Sequence, residues 1–257
     1  MSVAGVILPP SNYIETCVTA IRQAGGLYIA DEVQTGFGRL GTCMWAYQYN
    51  NNNNNNNNSP ATGSTSVVGV IPDIVTVGKP FGNGMPLGAV IMTRDVANKF
   101  ERMNVEYFNT FGGNPVCAAA GLAMLEVLEN QNLQQHALVV GNYLIDKFRK
   151  LQQQQNVHLI GDVRGSGLFV GIELVRDHVT LEPATEETSF LCTTLKEKYH
   201  ILSSIDGMYD NVIVVKPPLT FTKDDVDYFV ECFEKTLTVD IEQVGLDNVR
   251  NMSKTPT

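Results

Sequence analysis

The order of apolar and polar residues along the chain predicts alternating helices and strands. Apolar side chains at residues 14, 17, 18 and 21 share one face of a helix, which Ser11 would cap and Gly25-Gly26 would end. Residues 27–30 follow at once as an apolar run, and residues 74–78 form a second one. Such runs are typical of buried strands in a parallel sheet. A helix that leads directly into a strand indicates an α/β fold.

The rest of the chain continues this alternation. The pattern predicts strands at residues 88–93, 159–163, 168–175 and 212–215, and helices at residues 95–101, 116–129, 133–151, 186–199 and 222–238. An asparagine tract, residues 50–58, has nothing to bury, so residues 50–66 are predicted to be a disordered surface insertion. The final residues, 241–257, are polar and are predicted to be a flexible tail.

Both central strands end in a residue that can take part in chemistry. Asp31 ends the first strand, and Lys79 ends the second. Because open α/β sheets bind ligands beyond the carboxyl ends of their strands, we expect this carboxylate and this amine to face one ligand. Pyridoxal phosphate needs such a pair, since a lysine forms its Schiff base and an acid keeps its ring nitrogen protonated. The alternative is that Asp31 caps a turn and Lys79 is a solvated charge.

Composition excludes several classes of function. The 257 residues carry a net charge of −9 and no cluster of lysine and arginine, so no nucleic-acid or anionic-membrane partner is expected. Five scattered cysteines without a CxxC pair argue against a disulfide framework or a zinc site, and they fit a reducing compartment. Apolar runs fall short of the roughly 18 residues that a membrane helix needs, so a soluble enzyme is the expectation.

Three motifs resemble those of the class III aminotransferases, and they occur in the same order. They are ADEVQTGFGR at residues 30–39, VGKPFGNGMPLGA at residues 77–89 and NTFGGNP at residues 109–115. Residues 159–174 and 215–219 resemble the branch of that family formed by the alanine–glyoxylate-aminotransferase-2-like phospho-lyases.

The resemblance implies the C-terminal half of a pyridoxal-phosphate-dependent transferase of fold type I. Residues 1–115 would belong to the cofactor-binding large domain. Residues 116–240 would form interdomain helices and a small α+β C-terminal domain. Family members have roughly as many residues again ahead of this stretch, so the chain is expected to be a split or truncated product. The cytoplasm is the default location, and a mitochondrial address would lie in the part ahead.

The resemblance also assigns a role to each matching residue. Lys79 would be the catalytic Schiff-base lysine, and it would shuttle the proton at the substrate's α-carbon. Asp31 would pair with the pyridinium nitrogen, Val33 would pack on the ring, and Gln34 would hydrogen-bond the phenolic oxygen. Thr110 would reach the cofactor phosphate of a neighbouring subunit, which implies a homodimer with composite sites. An ordinary turn hydroxyl is the alternative for Thr110. No metal is expected.

The substrate prediction depends on residue 214. Many aminotransferases of this class place an arginine three residues before the Pro-Pro motif, where it holds the substrate's α-carboxylate, but Val214 stands here. Lys216 and Arg164 are candidate replacement cations. Together with the resemblance to the phospho-lyase branch, this implies a phospho-lyase that removes phosphate and ammonia from a phosphorylated amine or amino acid, such as ethanolamine phosphate, by α-proton abstraction and β-elimination. The alternatives are an aminotransferase that uses a keto acid such as pyruvate or glyoxylate, and an inactive fragment.

Overall fold

The computed structural model describes residues 3–10, 12–49 and 70–252. The chain divides into two compact units, Pro9–Gln134 and the combination of Met1–Leu8 with Gln135–Thr257. This division falls 19 residues after the predicted domain boundary at residue 115, because the helix that begins there belongs to the first unit. The predicted cap at Ser11, the predicted insertion over residues 50–66 and the end of the predicted tail lie outside the described residues.

Among its described residues, the first unit contains a three-stranded mixed sheet and three α-helices. The sheet has the order β1-β2-β3, with β1 parallel to β2 and β3 antiparallel to it. The elements are α1 (Tyr13–Gln23), β1 (Ile29–Asp31), β2 (Ile74–Val77), β3 (Ala89–Met92), α2 (Arg94–Arg102) and α3 (Pro115–Asn130). Gly25 follows α1 with φ of 80°, as the predicted C-terminal stop requires. The sequence thus predicted the α-helices and strands named here, but not the 3₁₀ turn at Ala46–Gln48.

The burial predicted for these strands is only partly correct. Ala30 on β1 and Val77 on β2 are buried, as predicted. Ile29 on β1 is 57% exposed, and Val90 and Ile91 on β3 are 58% and 52% exposed. Since β1 and β3 are the outer strands of this three-stranded sheet, each has a sheet neighbour on one side only among the described residues.

The second unit packs helices against a four-stranded antiparallel sheet of order β4-β5-β7-β6. Its elements are α4 (Leu133–Gln152), β4 (Ile160–Ser166), β5 (Phe169–Leu174), α5 (Thr185–Tyr199), β6 (Ser204–Asp206), β7 (Val212–Val215), α6 (Lys223–Lys235), α7 (Ile241–Val244) and α8 (Leu246–Met252). The core includes Phe148, Leu191 and Phe233, which are fully buried. Gly141 lets α4 lie against the turn between β4 and β5, because a Cβ there would come within 2.1 Å of the Gly167 carbonyl oxygen.

The described part of the predicted flexible tail is folded instead. Residues 241–252 form α7 and α8, separated by Gly245 with φ of 84°. Ile241 is 3% exposed and Val249 is 1% exposed. The prediction was wrong here because the polar average of the segment hid the apolar positions that α7 and α8 bury.

An ion cluster around a buried carboxylate links α5 to α8 and to the residues after β5. Arg176 Nε donates to Glu187 Oε1 at 3.0 Å, and Arg250 Nε donates to the same oxygen at 2.8 Å. The Glu187 side chain is fully buried. Burial opposes its ionisation, but the hydrogen bonds from Arg176 and Arg250 outweigh that effect and hold the pKa of Glu187 below its usual value.

This cluster predicts a loss of stability in acid. Because the folded state lowers the pKa of Glu187, its stabilisation is complete above the usual pKa of 4.5 and disappears as the pH falls through the lowered value. We expect Glu187→Gln to unfold more easily at neutral pH and to lose less stability than the parent on acidification, as measured by thermal unfolding across pH. Glu231→Gln, at a side chain that is 59% exposed, is the control. Identical pH dependence in Glu187→Gln and the parent would contradict this assignment.

Candidate active site

Asp31 and Lys79 leave the sheet at the same edge. In the parallel ladder of β1 and β2, Asp31 is the register partner of Thr76, and Lys79 lies three residues beyond Thr76. Asp31 Oδ1 accepts hydrogen bonds from Thr76 Oγ1 and from the Val33 backbone N–H, both at 3.1 Å. The carboxylate is therefore tied to the neighbouring strand that carries the lysine.

The backbone turns sharply at Lys79. Gly78 is extended, and Lys79 opens a 3₁₀ turn over Lys79–Phe81 with φ of 34°. A positive φ at a residue other than glycine is strained, and such strain concentrates at functional sites. The turn directs the chain out of β2 and leaves the lysine side chain exposed.

Val33 lies beside the lysine turn. A Cβ placed on Gly78 would lie 3.6 and 3.7 Å from the two γ-carbons of Val33. Val33 is half-buried, and so is Gln34 in the same turn. The structure thus brings Asp31, Val33 and the Lys79 turn together at one strand edge, with Gln34 adjacent in the chain.

Thr110 lies in an exposed loop ahead of α3. Asn109 Oδ1 accepts from the backbone N–H groups of Phe111 and Gly112 at 3.0 and 3.1 Å, which closes the turn around Thr110. Within residues 3–10, 12–49 and 70–252, no hydrogen bond joins Thr110 to Asp31 or Lys79. No hydrogen bond of the described chain ties Thr110 to the other predicted site residues, and its role across a subunit interface stays a prediction.

Two residues of this region were missed in the sequence. Thr76 holds the Asp31 carboxylate, but it reads as an ordinary polar position of a strand until the register of β1 on β2 is known. Glu32 is 1% exposed, although a charged residue after a strand is usually solvated. Its carboxylate accepts from Thr35 Oγ1 at 2.7 Å and from the Tyr47 N–H at 2.8 Å. The signal available in the sequence was a second acidic residue directly after Asp31.

The donor set fits pyridoxal phosphate. Lys79 offers an exposed amine for the cofactor aldehyde, and Asp31 offers a carboxylate for the ring nitrogen. Val33 supplies an apolar side chain beside Gly78, the residue before Lys79. Among the described residues, no group of three or more His, Cys, Asp and Glu side chains is placed to hold a metal ion. None of the described helices is long and apolar enough to cross a membrane.

The three candidate substrate residues lie in the second unit. Val214 is in β7 and is 3% exposed. Val214 and Lys216 line one cavity of about 570 Å³, and Lys216 Nζ lies 3.8 Å from Asp206 Oδ2. Arg164 uses its guanidinium within the fold, since Nη1 contacts Asp162 and Nη2 donates to the Gly5 carbonyl oxygen at 2.7 Å. This set of contacts favours a structural role for Arg164.

Comparisons with known proteins agree with these motifs. The family model described as aminotransferase class III matches residues 1–237. A Drosophila melanogaster protein named alanine–glyoxylate aminotransferase 2-like is 43% identical over 94% of this chain and 45% of its own length. A Caenorhabditis elegans protein named ethanolamine-phosphate phospho-lyase homolog 1 is 39% identical over 93% of this chain and 47% of its own length.

A solved structure also matches most of this chain. A phospholyase from Arthrobacter, in complex with phosphoethanolamine, superimposes with a TM-score of 0.80 and 38% identity. That match covers 93% of this chain and 51% of the Arthrobacter chain. The chain therefore spans about half the length of the relatives it matches.

Proposed function

Because the chain belongs to the class III aminotransferase family, we propose that its strand edge binds pyridoxal phosphate, with Lys79 as the covalent amine and Asp31 as the acid partner of the ring nitrogen. The predicted α/β assignment to fold type I is confirmed by the family match and by the structural neighbours. The observation that carries the proposal is the register of Asp31 on Thr76, three residues before Lys79. It delivers a fixed carboxylate and an amine from adjacent parallel strands.

The bonds around Asp31 suit this role. Both of its hydrogen bonds among the described residues end on Oδ1, which leaves Oδ2 for the ring nitrogen. Val33 would contact the ring through its γ-carbons, and the Gln34 amide would donate to the phenolic oxygen. When bound, the cofactor withdraws electrons from the carbon next to the substrate amine. Lys79 would remove the proton from that carbon.

Thr110 completes the proposed site from a second copy. Its hydroxyl is exposed in the loop that Asn109 closes, where it can donate to a phosphate oxygen. We expect this phosphate to belong to the cofactor of a neighbouring subunit, so the active protein would be a homodimer.

For the substrate, the proposal is a phosphorylated amine such as ethanolamine phosphate. A buried valine at position 214 cannot bind an α-carboxylate, and ethanolamine phosphate has none. After Lys79 takes the α-proton, phosphate leaves from the β-carbon, and water completes the release of an aldehyde and ammonia. Two relatives support this choice, because one is named a phospho-lyase homologue and another was solved with phosphoethanolamine.

Amine transfer to a keto acid such as pyruvate or glyoxylate is the second candidate. A Homo sapiens relative named alanine–glyoxylate aminotransferase 2, mitochondrial, which is 36% identical over 94% of this chain and 43% of its own length, favours it. Both reactions need the same residues at the cofactor, so the contacts to the substrate decide between them.

Product analysis distinguishes the candidates. The assay contains pyridoxal phosphate and ethanolamine phosphate. The full chain is tested in two preparations, one of the chain alone and one of the chain co-expressed with the part of the Drosophila relative that lies outside the match. We expect phosphate and ammonia in equal amounts, with no alanine formed from added pyruvate. Amine transfer without phosphate release would favour the second candidate, and neither product in either preparation would contradict both.

Replacing Val214 tests the carboxylate argument. We expect Val214→Arg to raise the rate of amine transfer from L-alanine by about 10- to 100-fold, because a charge-assisted hydrogen bond contributes about 1.5–3 kcal/mol. Val214→Met, which is long but uncharged, is the control for the change in volume. Circular dichroism checks that both variants fold, since the position is buried. Equal rates in the two variants would count against the argument.

A further inference from the structure

We propose that Glu32 is a positioning residue, whose buried carboxylate holds the turn that presents Asp31 and Val33 to the cofactor. This inference rests on the proposed function for the identity of the ligand. The contacts that hold the turn involve no ligand. The effect of Glu32 on the turn and its effect on cofactor binding can therefore be tested separately.

Glu32 joins the end of β1 to two other segments. Its backbone N–H donates to the Thr76 carbonyl oxygen of β2 at 2.9 Å. Its side chain reaches in the other direction, where Oε2 accepts from Thr35 Oγ1 at 2.7 Å and Oε1 accepts from the Tyr47 N–H at 2.8 Å. One residue therefore closes the turn after Asp31 and fixes the segment at Tyr47.

The closed turn also reaches the residues that follow Lys79. Phe37 is 4% exposed and stacks on Phe81, with ring centroids 5.2 Å apart and planes inclined by 14°. Trp45 meets the same Phe37 ring edge-on at 4.9 Å. Because Phe81 ends the 3₁₀ turn that Lys79 begins, the segment fixed by Glu32 supports the acid on one side and the lysine turn on the other.

Because the Glu32 carboxylate is buried, its role at the site is indirect. A carboxylate that is 1% exposed, with both oxygens accepting hydrogen bonds, is not available to substrate. It would act only through the residues that it holds. Burying an ionised carboxylate is costly unless its oxygens are hydrogen-bonded, and here a hydroxyl and a backbone N–H meet that need.

Two substitutions separate geometry from charge. Glu32→Ala removes both acceptors and leaves the Thr35 hydroxyl and the Tyr47 N–H without this partner. Glu32→Gln keeps the shape, since its carbonyl oxygen can accept from the Tyr47 N–H and its amide can donate to a rotated Thr35 hydroxyl. A residue that positions the turn should tolerate glutamine and not alanine.

Hydrogen exchange of the ligand-free chain tests the turn itself. The Val33 amide donates to Asp31 and the Tyr47 amide donates to Glu32, so both report on the turn. We expect Glu32→Ala to speed exchange of both amides by at least about tenfold, and Glu32→Gln to stay within about twofold of the parent. Glu187→Gln, at a fully buried acid of the second unit, is the control and should leave both amides unchanged.

Cofactor titration tests the consequence. We expect Glu32→Ala to raise the Kd for pyridoxal phosphate by at least about tenfold and to change the visible absorbance of the loaded protein, with both restored in Glu32→Gln. Unchanged Val33 exchange in Glu32→Ala, or equal exchange in the alanine and glutamine variants, would overturn the proposal. Faster exchange with unchanged cofactor affinity would overturn it as well. If the parent takes up no cofactor but the exchange results hold, the proposed function fails while the turn assignment stands.

Discussion

Replacing Lys79 with alanine is expected to abolish covalent capture of pyridoxal phosphate and to lower turnover by about 10²–10⁴-fold, the range that a proton-transfer residue contributes. The lysine is exposed at the end of β2, on a strained turn beside the Asp31 carboxylate. Its amine has two proposed tasks, which are holding the cofactor and moving the substrate's α-proton. Alanine has no amine and can perform neither task, and its small side chain fits in the turn.

Borohydride reduction followed by peptide mass spectrometry measures the covalent step. The parent should carry one phosphopyridoxyl group on the peptide that contains Lys79, and the Lys79→Ala variant should carry none. Lys99→Ala, at an exposed position of α2, is the control and should label like the parent. Labelling of another lysine to the same extent in Lys79→Ala would contradict the assignment.

Phe148→Ala is expected to lower the free energy of unfolding by about 3–5 kcal/mol. Phe148 on α4 is fully buried, and its ring meets Phe229 and Phe233 of α6 edge-on, with centroids 5.5 and 4.9 Å away. Alanine leaves a cavity where three aromatic rings met. Because whole domains are stable by only about 5–15 kcal/mol, this substitution threatens the second unit.

Urea unfolding followed by circular dichroism measures that loss. Val139→Ala lies on the same helix at a side chain that is 45% exposed, and it should change the free energy of unfolding by less than about 0.5 kcal/mol. Similar losses in the two variants would show that the aromatic cluster is not the centre of this core.

Local patterns predicted most elements of the fold, and non-local contacts account for the rest. The helix α1 followed from periodicity and from its Gly25-Gly26 stop, and α3 followed from its N-cap Asn114, which accepts from the backbone N–H groups of Val116 and Cys117. The strand β6 was missed because Ser204–Asp206 is short and polar, and its pairing with β7 defines it as a strand. The helices of residues 241–252 depend on burying Val249 against the unit, which the polar sequence does not show.

The candidate site, too, could be predicted only in part from the local sequence. A strand that ends in an acid and a strand that ends in a lysine can be read in the sequence, and the resemblance supplied the roles of Val33, Gln34 and Thr110. The register that pairs Asp31 with Thr76 cannot be read, because it is set by the packing of the whole sheet. Burial of Glu32 likewise depends on Thr35 and on Tyr47, which lies 15 residues away in the chain.

A crystal structure of the chain with pyridoxal phosphate would show whether Asp31 and Lys79 converge on one cofactor. We expect the cofactor aldehyde carbon to be bonded to Lys79 Nζ and the ring nitrogen to lie within about 3 Å of Asp31 Oδ2. A cofactor bound elsewhere, or Asp31 and Lys79 directed to opposite faces of the sheet, would contradict this expectation.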